Sequence, residues 1–389
     1  MVRKILLFLL MVLIFAGVAV LYFYIQNKDH HRYLNSLSKP EQIDEGINYI
    51  LNRYNVKGAS IAVIDNYELK WAKGFGITDA EEPRAVTAET LFDVASISKP
   101  LTAFTALKIL DKKNISIDTP ANKVLRSWKI PDNQFTDSAQ VSIRQLLSHR
   151  GGINLHGYMG YTKEDTLPTL IEELNGIPPS KSEKIKVIQV PGKSFIYSGG
   201  GYYIIQQLLE DISQVPFDQL VKNIVFSPLE MCNSTFQQDS LESYYPSIAS
   251  AHYKGKLIKI KRMRFGAGAA GGLKSTAEDL GKFILEIMLS LKSSSNKILN
   301  QDKTKQLLFP ESPNYGLGFM LNEDFFGHGG ANVGFISTII AHKEKGYGIV
   351  LLTNSSRDDN LLWLVSDKSR KEIIDLVARV YQWETLPYF

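Results

Sequence analysis

The sequence predicts an α+β fold in which one antiparallel sheet is built from both ends of the folded chain. Three observations support this prediction. Two β-rich runs lie near the start, several more lie near the end, and helical patterns with loops fill the middle. Strands and helices that are segregated along a chain are typical of this class. We therefore expect helices to flank the sheet and a mostly helical insertion to lie beside it.

The composition is that of a globular chain with a large core. The 389 residues are 44% hydrophobic and include 15 prolines and a single cysteine. These values exclude a disordered chain, a collagen and a small disulfide-rich protein. Cys232 has no partner for an intramolecular disulfide, and a multi-cysteine zinc site is excluded as well.

The formal charge of +4 comes from two local features. Arg3 and Lys4 lie at the N-terminus, and six more cations lie within residues 254–264. Removing these eight of the 44 cations leaves 36 against 40 acidic residues, so bulk charge argues against nucleic-acid binding. We interpret 254–264 as an edge strand with its charged face in water, and contact with anionic lipid or wall polymer is the alternative.

The N-terminus has the pattern of a membrane segment. The 21 residues 5–25 carry no charge, which is enough to span the roughly 30 Å of a bilayer core. We predict a signal anchor over residues 1–26, with the N-terminus in the cytoplasm and the rest of the chain exported. A cleaved signal peptide is the alternative. Residues 27–37 are predicted to be a polar tether.

The remaining elements follow from periodicity and caps. Apolar residues at helical spacing predict helices over 39–54 and 368–381, and another helix follows Ser96. Residues 275–278 form a capping box that opens a helix, with Ser275 as its first residue. Strands are predicted at residues 59–65, 68–74, 316–321, 335–342 and 346–353. The sheet part is thus expected at 38–115 and 270–389, and the helical insertion at 116–269.

The first sign of chemistry is a serine followed three positions later by a lysine. Ser96 and Lys99 stand at the start of an apolar helix, where this spacing places both side chains on one face. An unactivated serine is a weak nucleophile and needs a base within hydrogen-bond reach. Burial lowers the pKa of a lysine and makes it such a base. A serine that merely caps the helix is the alternative, because this pattern also occurs by chance.

The context of this pair is similar to a known superfamily. The chain resembles the serine β-lactamases and penicillin-binding proteins, in particular the branch of class C β-lactamases, D-peptidases and esterases. The similarity extends over about residues 40–385 and follows the family order. The matching segments lie at residues 56–63, 73–76, 90–99, 146–153, 195–202, 270–280, 315–319 and 328–330. It implies a β-lactamase/transpeptidase-like domain over residues 38–389.

The resemblance implies roles for individual residues. Ser96 would be the nucleophile of an acyl-enzyme, Lys99 its proton acceptor, and Tyr197 the partner base, as a phenolate or through its hydroxyl. Backbone N–H groups of Ser96 and Ala331 would form the oxyanion hole. His328 would be mostly neutral and would donate a hydrogen bond to Tyr197 or the substrate.

Three glycines are predicted to contact substrate, and two of them depart from the family pattern. Gly199 stands where relatives usually carry an asparagine that holds an acylamino group, and Gly329 lacks a common hydroxyl. Gly330 agrees with the family pattern, since residues 328–330 stand at the place of its Lys-Thr-Gly triad. These differences favour an esterase or a peptidase over an efficient β-lactamase.

Cofactors and metals are not predicted. The adjacent His30 and His31 are only weak evidence for a metal site. His149 is expected to form a hydrogen bond with the backbone of its loop. A glycine pattern at residues 266–271 resembles a dinucleotide motif, but the helix that should begin within it is delayed to Ser275.

The sequence therefore predicts a membrane-anchored, exported serine hydrolase. Its substrate would be an ester, a D-amino-acid peptide, a β-lactam or another small or cell-wall-derived molecule, and no nucleic acid is expected as a partner. The alternative is a catalytically inactive relative that binds peptidoglycan fragments or a protein. A nucleotide-dependent oxidoreductase is a remote third hypothesis.

Overall fold

The computed structural model describes residue 15 and residues 25–245, 247–295, 297–356 and 368–389. The predicted anchor, residues 1–26, lies outside these ranges except for residues 15, 25 and 26. Within the described ranges, no helix combines the length and the apolar character needed to cross a bilayer.

A six-stranded antiparallel sheet forms the centre of the described chain. Its order is β2-β1-β10-β9-β8-β7, so strands from the beginning of the domain pair directly with strands from its end. The strands are β1 Gly58–Asp65, β2 Glu68–Gly76, β7 Met320–Leu321, β8 Phe325–Asn332, β9 Phe335–His342 and β10 Gly348–Thr353. The α+β class and the sheet built from both ends are confirmed.

The helices lie on both faces of the sheet. They are α1 Ile43–Arg53, α2 Ser98–Lys112, α3 Ala121–Val124, α4 Ile143–Leu147, α5 Leu170–Asn175, α6 Gly199–Ser213, α7 Phe217–Val221, α8 Leu241–Tyr244, α9 Ala277–Leu291, α10 Gln301–Leu307 and α11 Lys368–Val380. Short strands β3 Phe92–Asp93, β4 His252–Tyr253, β5 Lys256–Leu257, β6 Lys274–Ser275 and β11 Ser355–Ser356 form two small sheets.

The alternation of side chains along β1 explains the three layers. Ile61 and Val63 pack with α1 and α11, whereas Ala62 and Ile64 belong to the larger core on the other face. Successive strand residues point to opposite faces, so a strand that is buried on both sides reads as a continuous apolar run. The turn between β1 and β2 has positive φ at both Asn66 and Tyr67, as a tight hairpin requires.

Residues 27–37 differ from the predicted tether. Residues 25–36 are helical, and Leu34 and Leu37 are buried in the cluster under α1 and α11. The ring of His30 is also buried and contacts Tyr49 and Glu372 through hydrogen bonds. The polar composition of this segment gives little sign of its buried face, because apart from His30, Leu34 and Leu37 its residues are exposed or partly exposed.

The basic run at 254–264 is not a continuous edge strand. Only Lys256–Leu257 is a strand, and three of the later cations pair with acids outside the run. Lys261 contacts Asp79, and the side chain of Arg264 contacts Asp239. Because its charges are partly neutralised within the fold, this run offers less free positive charge than its sequence suggests.

Two boundaries in the sheet part also need correction. The sequence pattern did not predict strand β8, although the family resemblance places Ala331 on an edge strand, and most of 316–321 is not a strand. Glycines at positions 327, 329 and 330 give β8 a poor strand pattern. The N-cap of helix α9 is Thr276, one residue after Ser275 at the start of the predicted capping box, and its side chain accepts from the backbone N–H of Asp279 at 3.1 Å.

Candidate active site

The serine stands in a single 3-10 turn, Ala95–Ile97, that leads directly into α2. The α-helix itself begins at Ser98, two residues after the position predicted. Pro100 lies in its first turn, where its missing N–H costs nothing. The half-exposed side chain of Ser96 therefore faces a cavity at the helix mouth.

Lys99 lies beside this serine in a fully buried position. Its Nζ is 3.1 Å from the Ser96 hydroxyl oxygen and donates a hydrogen bond to the carbonyl oxygen of Ala270 at 2.6 Å. Burial lowers the pKa of Lys99 to about 7. The amine is thus neutral in a large share of molecules at neutral pH, and its lone pair can accept the serine proton.

Tyr197 completes the group around Ser96. The centre of the Tyr197 ring lies 4.8 Å from the Nζ of Lys99, and Tyr197 lines the same cavity as Ser96. Burial raises the pKa of Tyr197 well above its ordinary value. Of the two forms expected from the sequence, the structure therefore favours the protonated hydroxyl over the phenolate.

A chain of hydrogen bonds determines the protonation of two buried histidines. The backbone N–H of Ser198 donates to Nδ1 of His149 at 3.1 Å, so the proton of His149 is on Nε2. That N–H donates to the hydroxyl of Tyr315 at 3.1 Å, and Tyr315 in turn donates to Nε2 of His328 at 3.2 Å. The Nδ1–H of His328 donates to the carbonyl of Gly329.

His328 consequently has no free N–H for a substrate. Burial, with the nearby charge of Lys99, lowers the pKa of His328 to about 3, so the ring is neutral as expected. The expectation that it donates to Tyr197 or the substrate needs correction, because one nitrogen accepts from Tyr315 and the other donates to backbone. The ring of His149 accepts a hydrogen bond from the backbone N–H of Ser198, as expected.

The cavity in front of Ser96 has a volume of about 430 Å³. Its walls are mostly apolar and aromatic, and among the described lining residues Lys99 is the only Lys or Arg and no Asp or Glu is present. The lining includes Tyr158, Tyr203, Phe265, Met320, Gly199, Gly329, Ala331 and Asn332. The site therefore lacks a ready partner for a charged group of a substrate.

The three predicted substrate glycines lie in different environments. Gly199 is the first residue of α6 and lines the cavity beside Tyr158, and Gly329 lines the cavity on β8. Gly330 does not line it. A Cβ at Gly330 would lie 2.2 Å from the carbonyl oxygen of Val94, so this glycine allows β8 to pack against the segment that carries Ser96.

The predicted oxyanion donors face the same space. Ser96 and Ala331 both line the cavity, one at the start of α2 and the other on β8. This arrangement is compatible with two backbone N–H groups directed at one oxygen, and their role stays a prediction.

Sequence reasoning gave no role to several polar residues around the site. Tyr315 lay within a recognised motif, but nothing in that motif indicates its contacts with two histidines. Asp93 and Lys274 are buried and paired across β3 and β6, and the pairing of these strands was not predicted. The sequence alone does not distinguish a buried charged residue of this kind from one on the surface.

A candidate metal group lies among residues outside the cavity lining. Ligand atoms of His30, His31 and Glu372 lie within 4.8 Å of one another in the described chain. Both ring nitrogens of His30 are already hydrogen-bonded, to Tyr49 and to Glu372, which accounts for the cluster as a packing contact.

Comparison with known proteins gives a family and a set of similar folds. The family model described as Beta-lactamase matches residues 41–364. Protein flp of Staphylococcus aureus is 23% identical over 321 residues, which are 81% of this chain and 63% of that protein. The chain thus spans less than two thirds of the length of this curated relative.

Two solved structures share the fold at low sequence identity. The octameric penicillin-binding protein homologue from Pyrococcus abyssi has a TM-score of 0.70 and 24% identity, over 89% of this chain and 79% of that one. The D-amino acid amidase from Ochrobactrum anthropi SV3 has a TM-score of 0.66 and 22% identity, over 88% of this chain and 98% of that one. The β-lactamase/transpeptidase-like fold is therefore shared.

Proposed function

The chain belongs to the Beta-lactamase family, and we propose that it is a serine hydrolase that forms an acyl-enzyme on Ser96. The observation that carries this proposal is the 3.1 Å contact between the hydroxyl of Ser96 and the buried amine of Lys99. A serine beside a neutral amine is an activated nucleophile, because the amine accepts its proton as the new bond forms.

In the proposed first step, the Oγ of Ser96 attacks the substrate carbonyl carbon and its proton moves to Nζ of Lys99. The tetrahedral oxyanion is held by the backbone N–H groups of Ser96 and Ala331. When the bond to the leaving group breaks, the hydroxyl of Tyr197 donates its proton to the leaving oxygen. Lys99 then returns a proton to Tyr197, so the pair ends the step as it began.

Deacylation repeats this sequence with water as the nucleophile. The amine of Lys99 accepts the proton of a water that attacks the acyl carbon, and the Ser96 oxygen leaves and regains a proton. Because burial raises the pKa of Tyr197 and makes its phenolate costly, Tyr197 passes on its proton as Lys99 supplies another, so that it acts as a relay.

We propose that the substrate is an ester with a neutral, mostly apolar acyl group. The lining has aromatic surfaces but no acid, and its one described Lys or Arg is the proposed base. Neither a free carboxylate nor a free amine of a substrate finds an oppositely charged partner there. Gly199 also lacks the amide with which relatives are expected to hold an acylamino group.

The location of the enzyme is a separate part of the proposal. The uncharged stretch at residues 5–25 supports a single-pass membrane protein with its catalytic domain outside the cytoplasm. Fractionation of cells that express the whole chain tests it. Recovery in the membrane pellet, with accessibility to external protease, is expected; release by a salt wash would overturn the anchor.

A second candidate is a catalytically inactive relative that binds peptidoglycan fragments or a protein partner. The absence of polar side chains at Gly199 and Gly329 is what favours it.

A comparison of substrates tests the hydrolase proposal: a p-nitrophenyl ester, a cephalosporin and a D-Ala-D-Ala peptide are assayed with wild-type protein and with Ser96→Ala. We expect the ester to be cleaved fastest by the wild type. Faster turnover of the cephalosporin would overturn the proposed substrate class.

A further inference from the structure

One buried carboxylate joins the two chain segments that carry the proposed oxyanion donors. Oδ1 of Asp93 accepts the backbone N–H of Ala95 at 3.3 Å, and Oδ2 accepts from the side-chain amide of Asn332 at 2.9 Å. Ala95 immediately precedes Ser96, and Asn332 immediately follows Ala331. The carboxylate therefore spans from one donor segment to the other without lining the cavity itself.

The segment held in this way is conformationally strained. Ala95 has a φ of +47°, a left-handed conformation that is unfavourable for a residue with a Cβ. Such a conformation persists only where the surroundings hold it. The bond from Ala95 to Asp93 is one restraint, and the hydroxyl of Ser337 donates to the carbonyl of Val94 at 2.8 Å as another.

Lys274 compensates the charge of the buried carboxylate. Its Nζ lies 3.5 Å from Oδ2 of Asp93, and the side chains are only 2% and 1% exposed. The backbones of the two residues pair directly between β3 and β6. A carboxylate buried without such a partner would be strongly destabilising, so the pair lets Asp93 act as an acceptor beneath the site.

We propose that Asp93 is a positioning residue that fixes the separation between the backbone N–H groups of Ser96 and Ala331. This inference rests on the proposed hydrolase function. Oxyanion donors act only within a narrow range of distances, and loss of one donor lowers kcat about 10²–10³-fold. Displacement of β8 relative to Ser96 is a milder defect, so we expect about a tenfold fall in kcat.

The test removes the link at Asn332 and leaves the buried ion pair in place. Asn332→Leu deletes the amide donor at similar size, and Asn332→Asp keeps the shape but sets a second carboxylate against Asp93. The control is Asn322→Leu, since Asn322 also bonds backbone at a strand end but lies before β8 and outside the cavity lining. For each protein, kcat and KM for a p-nitrophenyl ester are measured, with the Kd of phenylboronic acid.

Phenylboronic acid reports on the hole itself, because its adduct with a serine oxygen is tetrahedral like the intermediate. We expect both Asn332 variants to lose about tenfold in kcat and in boronate affinity, with KM within about twofold of wild type. The Asn322 variant should match wild type. If one Asn332 variant fails to fold by circular dichroism, the other decides.

Two results would overturn the positioning role. One is a kcat within twofold of wild type in a folded Asn332 variant, and the other is a rise in KM alone, which would mean that Asn332 only contacts substrate. The proposed function fails separately, when wild-type protein neither cleaves the ester nor binds the boronate; the positioning role of Asp93 is then overturned with it.

Discussion

The amine of Lys99 lies 3.1 Å from the hydroxyl oxygen of Ser96, and in the described part of the chain its other hydrogen bond goes to the carbonyl oxygen of Ala270 instead of a carboxylate. Burial alone lowers this pKa, to about 7, which keeps the amine available as a base at neutral pH. In many ion-paired lysines an acid would instead hold the proton on nitrogen.

This pKa predicts the pH dependence of turnover. Below about pH 7 Lys99 is protonated and cannot accept the serine proton, so kcat/KM for an ester should fall about tenfold per pH unit there. Above that value the rate should reach a plateau. The profile is measured at the isosbestic wavelength of the nitrophenol product, with circular dichroism to show that the protein stays folded. A rate that is flat between pH 5 and about 8 would exclude Lys99 as the base.

The histidine chain predicts a stability effect centred on Tyr315. Tyr315→Phe removes the hydroxyl between His149 and His328 and leaves both buried ring nitrogens unpaired. An unsatisfied buried polar group costs about 1–3 kcal/mol, so the free energy of unfolding should fall by at least that amount. Denaturant unfolding measures it.

Tyr347→Phe is the matched control for that experiment. The hydroxyl of Tyr347 donates to Glu384, whose half-exposed carboxylate also contacts Lys345 and can be solvated by water. We expect a loss below about 1 kcal/mol. Equal losses in the two variants would show that the buried chain has no special contribution.

Packing at Gly330 gives a prediction that the sequence motif alone does not. Gly330→Ala would place a Cβ 2.2 Å from the carbonyl oxygen of Val94, whereas the nearest atom to a Cβ at Gly271 is 4.0 Å away. Forced overpacking costs about 1–3 kcal/mol, so Gly330→Ala should lower the unfolding temperature and Gly271→Ala should not. An unchanged unfolding temperature for Gly330→Ala would contradict the close approach of β8.

Gly199 determines the space available to an acyl group. A Cβ there would lie 3.3 Å from the carbonyl oxygen of His156 and 3.4 Å from the ring of Tyr158, so an asparagine must extend into the cavity. Gly199→Asn should lower kcat/KM for a phenylacetyl ester about tenfold and change an acetyl ester less than twofold. Equal effects on the two esters would mean that the acyl group lies elsewhere.

The sequence predicted those features that depend on local pattern. The β1–β2 hairpin, the strand at 335–342, the helix after Ser96 and the closing helix all have strong periodicity or turn signals, and the structure contains each of them. Strand β8 escaped prediction because its glycines, which the close approach to Val94 requires at Gly330, weaken the strand pattern.

In the candidate site, too, the residues with a local sequence pattern were predicted and those that depend on distant contacts were not. Ser96, Lys99 and Tyr197 were predicted from spacing and family motifs, and the structure brings them together. The contacts of Asp93 and Tyr315 could not be predicted, because they include hydrogen bonds to residues more than a hundred positions away in the sequence. For Tyr315 the direction of the bond also depends on the tautomer of His149. The helix in the polar segment at 27–37 was also not predicted, because Leu34 and Leu37 are the only aliphatic residues there that indicate a buried face.

Covalent labelling of Ser96 tests the central claim most directly. Wild-type protein is incubated with a fluorophosphonate, digested and analysed by mass spectrometry, beside Ser96→Ala and Lys99→Met. The account predicts a single adduct on Ser96 in the wild type, none in Ser96→Ala and a much slower reaction in Lys99→Met, because the buried amine activates the serine. Absence of labelling in the wild type, or equal labelling after Ser96→Ala, would contradict it.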